Sequence, residues 1–180
     1  MHNLCMNTNK KDDLLLDRFD ISLLAALQKD AQATHQQLGE HIHLSASQVS
    51  RRIQRLQSSG IIRRYVALLD PALVGLGVRA VTYVTLLRHS GEEGMAFERD
   101  IAAFPEVLEC YSVTGECDYI LQIVAANLND LSESVLRRLT RIQGVSSIRS
   151  NIVLQCIKSR TELPLDHIGR RDIGTRPISA

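Results

Sequence analysis

Thr34-His35-Gln36-Gln37 and Ser45-Ala46-Ser47-Gln48 are both capping boxes, a hydroxyl followed three residues later by Gln. Leu38 and Ile42 stand i,i+4 on the first helix they open, and Val49, Ile53 and Leu56 stand i,i+4,i+7 on the second. Only His43-Leu44 separates the two helices. Helices joined by so tight a turn cannot lie side by side; they must cross steeply, as in a helix-turn-helix. An earlier helix opens at Asp17-Arg18-Phe19-Asp20, with Asp17 as cap and Asp20 in the first turn, where the helix dipole favours an acid. Its apolar stripe is Leu23, Leu24, Leu27 and Ala31. Ser58-Ser59-Gly60 ends the third helix.

Charge singles out the third helix. The whole chain of 180 residues carries 21 Lys and Arg against 20 Asp and Glu, a net +1. That balance excludes a polycation and requires any nucleic-acid surface to come from local segregation. Between Ser45 and Arg64 there are five Arg and no acid. With Val49, Ile53 and Leu56 turned to the core, the opposite face presents Ser47, Arg51, Gln54 and Ser58, flanked by Gln48 and Arg55, and Arg52 adds to the basic cluster. Arg, Gln and Ser are the side chains that bond base edges and phosphates. A plain solvated helix face has a similar composition. The capped helix and tight turn ahead of it favour DNA.

Beyond Asp70-Pro71 the texture changes. Ile61 to Leu69 reads as an extended segment, and residues 71–77, with Pro71, Gly75 and Gly77, read as a linker between a domain at 15–70 and one at 78–160. The second domain alternates strand and helix patterns: Val78 to Leu87, helix Glu92 to Phe104, Val107 to Val113, Cys117 to Ala125, helix Asn127 to Ile142, and Ile148 to Ile157. The order is βαββαβ, a ferredoxin-like half-covered sheet whose uncovered face invites a second subunit. The fold class is therefore α+β: an N-terminal helix-turn-helix, winged-helix-like domain followed by a C-terminal ferredoxin-like domain. Residues 1 to 15 read as a polar, frayed start, and residues 164–180 as a flexible tail.

Other classes find little support. No apolar run reaches the roughly 18 to 20 residues that span a membrane, and no secretory signal precedes the first helix, which points to the cytoplasm. Cys5, Cys110, Cys117 and Cys156 form no CxxC pair and read as reduced, mostly buried thiols. His35, His41 and His43 share a short helix without i,i+4 spacing, so no metal site is expected. P-loop, GxGxxG, GxSxG and HExxH motifs are absent, so neither a catalytic residue nor a cofactor is expected. A Cys110–His89 pair cannot be assembled from sequence.

Together, Asp17-Arg18-Phe19-Asp20, Arg51-Arg52-Ile53-Gln54-Arg55-Leu56, Gly60-Ile61-Ile62-Arg63-Arg64-Tyr65 and Leu69-Asp70-Pro71 resemble the N-terminal half of the Lrp/AsnC (feast/famine) transcriptional regulators. Cys110 to Tyr119 (CYSVTGECDY) resembles that family's effector-domain turn, and Gly144-Val145 with Arg149 and Ser150 resembles its last strand. The resemblance implies a regulator that binds double-stranded DNA, dimerises through the βαββαβ domain, often assembles further into octamers, and takes an amino acid near the turn between the second and third strands. DNA contact is then expected from Ser47, Gln48, Arg51, Arg52, Gln54 and Arg55. Effector contact is expected from Thr114, Gly115, Glu116 and Asp118, with Ser150 on the facing last strand. Backbone N–H groups around Gly115 suit a carboxylate and Asp118 suits an ammonium. Asp118 reads equally as a turn carboxylate, and Gly115 as a residue needing positive φ. Cys117 stands where the family carries a larger residue. A ligand-independent nucleoid-architectural protein is the alternative function.

Overall fold

The structure, a computed structural model, describes residues 15–87 and 91–168. The expectations for the frayed start, Cys5, His89 and the tail beyond 168 lie outside these residues. The chain divides into two compact units: residues 1–67 with 159–180, and residues 68–158. That division groups the segment 71–77 with the second unit.

The first unit is three helices, α1 (Arg18–Lys29), α2 (His35–Ile42) and α3 (Ala46–Ser58). Each begins in a capping box. Asp20 N–H donates to Asp17 Oδ1 at 2.8 Å and Asp17 N–H to Asp20 Oδ2 at 3.0 Å. Thr34 N–H donates to Gln37 Oε1 at 2.8 Å, and Ser45 N–H to Gln48 Oε1 at 3.0 Å. Each such cap is worth about 1 kcal/mol, so the three starts are set locally. Between α2 and α3 the chain turns at His43, in the left-handed region at φ 57°. Leu44 N–H then donates to the Gly39 carbonyl at 2.9 Å. The turn closes so tightly on α2 that a Cβ at Gly39 would sit 2.4 Å from the Leu44 carbonyl oxygen. Leu23, Leu24, Leu27, Leu38, Ile42, Val49, Ile53 and Leu56 form the core that the apolar spacing predicted. Residues 63–70 belong to neither helix nor strand.

The second unit is a four-stranded antiparallel sheet of order β2-β3-β1-β4, built from β1 (Val78–Leu86), β2 (Val107–Ser112), β3 (Tyr119–Ala125) and β4 (Val145–Ile152). Helix α4 (Gly91–Ile101) and helix α5 (residues 128–139) complete the βαββαβ order. The middle of α5, Leu131–Leu136, is wound as a π-helix. Phe97, Ile101, Leu131, Val135 and Leu139 pack on Ala80, Val84, Leu121 and Ile123, and the Phe97 and Tyr119 rings meet at 4.6 Å between centroids. Strand alternation sends Val81, Tyr83, Ile120 and Tyr111 to the opposite face, where Tyr83 lies under the Arg149 guanidinium at 5.1 Å. The final strand is shifted from the expected 148–157. It starts at Val145 because Gly144 turns the chain at φ 89°, and it ends at Ile152, the partner of Ala80.

The expected flexible tail, 164–180, begins beside a segment that touches the helices. Leu163 and Leu165 lie on the first unit: Leu163 is bonded to Gln28 of α1, and Leu165 packs on the helical core.

Candidate nucleic-acid interface and effector turn

The arginines of α3 divide into two groups. Arg52 Nη1 lies 2.7 Å from Asp17 Oδ2 and 2.7 Å from Asp20 Oδ1, and Arg55 Nη2 bonds the other oxygen of Asp20. The Asp20 side chain is fully buried. A buried carboxylate is tolerated only when paired and bonded, and here two guanidinium groups and the Asp17 N–H supply the bonds. Burial alone would raise the Asp17 carboxyl, but the Asp20 N–H and the Arg52 guanidinium outweigh it and hold the group below the usual carboxylate range. Burial likewise works against the Arg52 charge, and Asp20 and Asp17 more than restore it, raising its pKa. Phe19 adds apolar contact, with Arg18 over its ring at 4.7 Å and Arg52 at 5.4 Å. Arg52 is thus a brace between α3 and α1. Arg55 is partly committed in the same way, although its side chain remains 44% exposed.

Arg51 and Gln54 are exposed on the outer face and carry no hydrogen bond or ion pair among the described residues. They keep all their donors for a partner. Ser47 is exposed, with its hydroxyl 3.1 Å from that of Ser45. Gln48 spends Oε1 on the cap and is otherwise exposed. Arg63 and Arg64 beyond α3 are also exposed. The residue that the sequence reading underrates is Asp20. It sits at the i position of a stripe continued by Leu23, Leu24 and Leu27 at i+3, i+4 and i+7, so its burial is signalled by the same spacing that predicts the core.

At the β2–β3 turn, Thr114, Gly115 and Glu116 are exposed. Gly115 has φ 128°, and a Cβ added there would meet nothing within 4 Å. Asp118 is half-buried and its Oδ2 accepts from the Leu86 N–H at 2.7 Å. Its carboxylate already ties the turn to β1. Ser150 is not beside this turn. It pairs with Thr82, whose hydroxyl lies 2.7 Å from its own, on the helix-covered face of β4. Strand β1 stands between β4 and β3, so within one chain the five expected effector residues are not assembled in one place.

The remaining candidates dissolve. Cys110 and Cys156 are exposed and Cys117 is half-buried, which corrects the expectation of mostly buried thiols. Although Cys110 as a whole residue is exposed, desolvation of its thiol and the Glu98 charge push its pKa up to about 11, the reverse of what a nucleophile requires. Among the described residues no cluster of three His, Cys, Asp or Glu could hold a metal, and no helix is long and apolar enough to cross a membrane.

Two family models match: the AsnC-type helix-turn-helix domain over residues 16–57 and the Lrp/AsnC ligand binding domain over residues 79–163. Together they span most of the chain. It belongs to the Lrp/AsnC family of transcriptional regulators. Among Lrp/AsnC relatives, the DNA-binding transcriptional activator DecR of Escherichia coli (strain K12) is 34% identical over 152 residues, covering 84% of this chain and 100% of DecR. The leucine-responsive regulatory protein of Rhizobium meliloti (strain 1021) is 33% identical, covering 83% of this chain and 96% of its own. The crystal structure of a Neisseria meningitidis transcriptional regulator in complex with L-methionine superposes with a TM-score of 0.81 at 39% identity, covering 85% of this chain and 99% of that one. A feast or famine regulatory protein of M. tuberculosis, also complexed with L-methionine, gives a TM-score of 0.72 at 32% identity, covering 82% of this chain and 98% of its own. The sequence resemblance and the α+β fold class are borne out.

Proposed function

We propose that this Lrp/AsnC protein is a non-enzymatic, cytoplasmic, sequence-specific regulator that places α3 in the major groove and reads bases chiefly with Arg51 and Gln54. The observation that carries this is the division on α3. Arg52 and Arg55 hold the helix to α1, while Arg51 and Gln54 face outward with free donors. Ser47 and Gln48, at the helix start, and Arg63 and Arg64 add bonds to phosphates. A pair of chains joined through the open sheet face would present two such helices to two half-sites. Val81, Tyr83, Ile120 and Tyr111 give that face its apolar character.

The test is duplex binding at several salt concentrations. Arg51→Ala and Gln54→Ala are expected to weaken binding to a selected duplex by about 1–3 kcal/mol where the lost contact is to a base edge. If Arg51 instead meets a phosphate, the slope of log affinity against log salt falls by about one. Undiminished affinity in both variants removes α3 from the interface.

An amino acid is the proposed effector, on the strength of the L-methionine complexes of two neighbours and of the exposed Thr114-Gly115-Glu116 turn. Asp118 is engaged by β1 and Ser150 lies two strands away, so the pocket would need a second chain, within a dimer or a larger assembly such as an octamer. The alternative is a ligand-independent architectural protein. Thermal shift against the amino acids separates them, since a ligand that binds only the folded form raises the Tm. A rise with one of them at millimolar level supports the effector; no rise with any supports the alternative.

A further inference from the structure

The chain passes between its two units twice, at residues 67–68 and again at 158–159. The second crossing leads to a specific contact. Leu163 N–H donates to Gln28 Oε1 at 2.7 Å, and Gln28 Nε2 donates to the Leu163 carbonyl at 3.2 Å. One α1 side chain thus takes both backbone groups of one residue, as a neighbouring strand would. Leu165 packs against the helical core beside this pair, and Ile168 N–H closes a turn onto the Leu165 carbonyl at 3.0 Å. Both Gln28 bonds are exposed to water, where single hydrogen bonds are individually weak. The contact is therefore specific in geometry and modest in strength, as a segment that docks and releases must be.

We propose that residues 159–168 are a detachable strap. Docked on α1, they give the helix-turn-helix a second tie to the sheet unit, starting seven residues after β4 ends at Ile152. The proposal rests on the reading of two half-sites by a pair of chains. A module tethered twice searches less space than one tethered once, so once one half-site is filled the effective concentration at the other rises. The strap leaves the reading face of α3 untouched and acts on how well two such faces work together.

The experiment uses the full chain and two variants, Gln28→Ala and Leu165→Asp. Hydrogen exchange is followed over peptide 159–168. Affinity is measured for a two-half-site duplex selected from a random pool by the wild type, and for the same duplex with one half scrambled. The expected result is loss of protection in 159–168 in both variants, unchanged affinity (within about twofold) for the scrambled duplex, and roughly tenfold weaker binding to the intact one. Unchanged affinity for the intact duplex overturns the proposal, as does an unprotected 159–168 in the wild type. An equal fall on both duplexes also overturns it, since that would make the segment a support for the helical core alone. A wild type that selects no duplex overturns the DNA reading and the tether's role with it, while the exchange measurement still decides whether the segment docks.

Discussion

In the helical unit one of the fully buried side chains, beside the leucines at the start of α1, is a carboxylate, Asp20; in the sheet unit the largest fully buried side chain is the Phe97 ring. Both are inaccessible to water. The ring needs only neighbours of the right shape. The carboxylate needs Arg52, Arg55 and the Asp17 N–H, each in the right place. The small unit is thus specified by directed bonds and caps, and the larger one by apolar packing between a sheet and two helices. A unit of three short helices has little apolar area to bury. Directed bonds at its α1–α3 contact fix how those helices cross.

That contrast can be broken most forcefully at its two centres. Phe97→Ala is expected to cost the sheet unit about 3–5 kcal/mol. Asp20→Ala is expected to cost the helical unit about 1–3 kcal/mol, by removing charged hydrogen bonds to two guanidinium groups that stay partly exposed, Arg52 keeping Asp17. Thermal unfolding followed by near-UV and far-UV circular dichroism should show each variant lowering one transition. A common drop in both units would mean that they do not stabilise themselves separately.

An effect no larger than that of Asp20→Ala, but sharper, is expected at the turn. Gly39→Ala forces a Cβ against the Leu44 carbonyl, and the backbone must move. A loss of about 1–3 kcal/mol is expected, read as a lower urea midpoint with an unchanged slope. Full stability in this variant would show that the helix crossing is looser than the capping boxes imply.

The smallest expected effect follows pH. The Asp17 carboxyl is lowered in the folded chain, so its contribution to stability is present above its unfolded value, about 3.9, and is lost as pH falls through the folded one. The helical unit should lose Tm below about pH 4, and Asp17→Asn should flatten that part of the profile by removing the titrating group. An identical profile in the variant would show that Asp17 carries none of the acid sensitivity.

What the sequence disclosed follows the range of the interaction. The capping boxes at 17–20, 34–37 and 45–48 are complete within four residues, and all three form. The brace from Arg52 to Asp17 and Asp20 joins residues more than thirty positions apart, so α3 alone could not show which arginines were free. The boundaries of β4 depend on where β1 offers partners, and the chain pattern could not fix them. Ser150 was more legible than the resemblance allowed. The alternation Ile148, Ser150, Ile152 already places it in the row that faces the helices. The π-helical winding of Leu131–Leu136 left no mark in the apolar spacing.

The separation of roles along α3 also bears on how such a regulator can diverge. Residues 47, 51 and 54 can change without disturbing the contact between α3 and α1, because none of them bonds α1 among the described residues. Residues 52 and 55 are more constrained, since a substitution at either removes one of the two guanidinium groups that pair the buried Asp20 carboxylate. A duplicated copy of this gene could acquire a new target sequence through a few outward positions while its scaffold stayed under constraint, so specificity is free to drift where the fold is not.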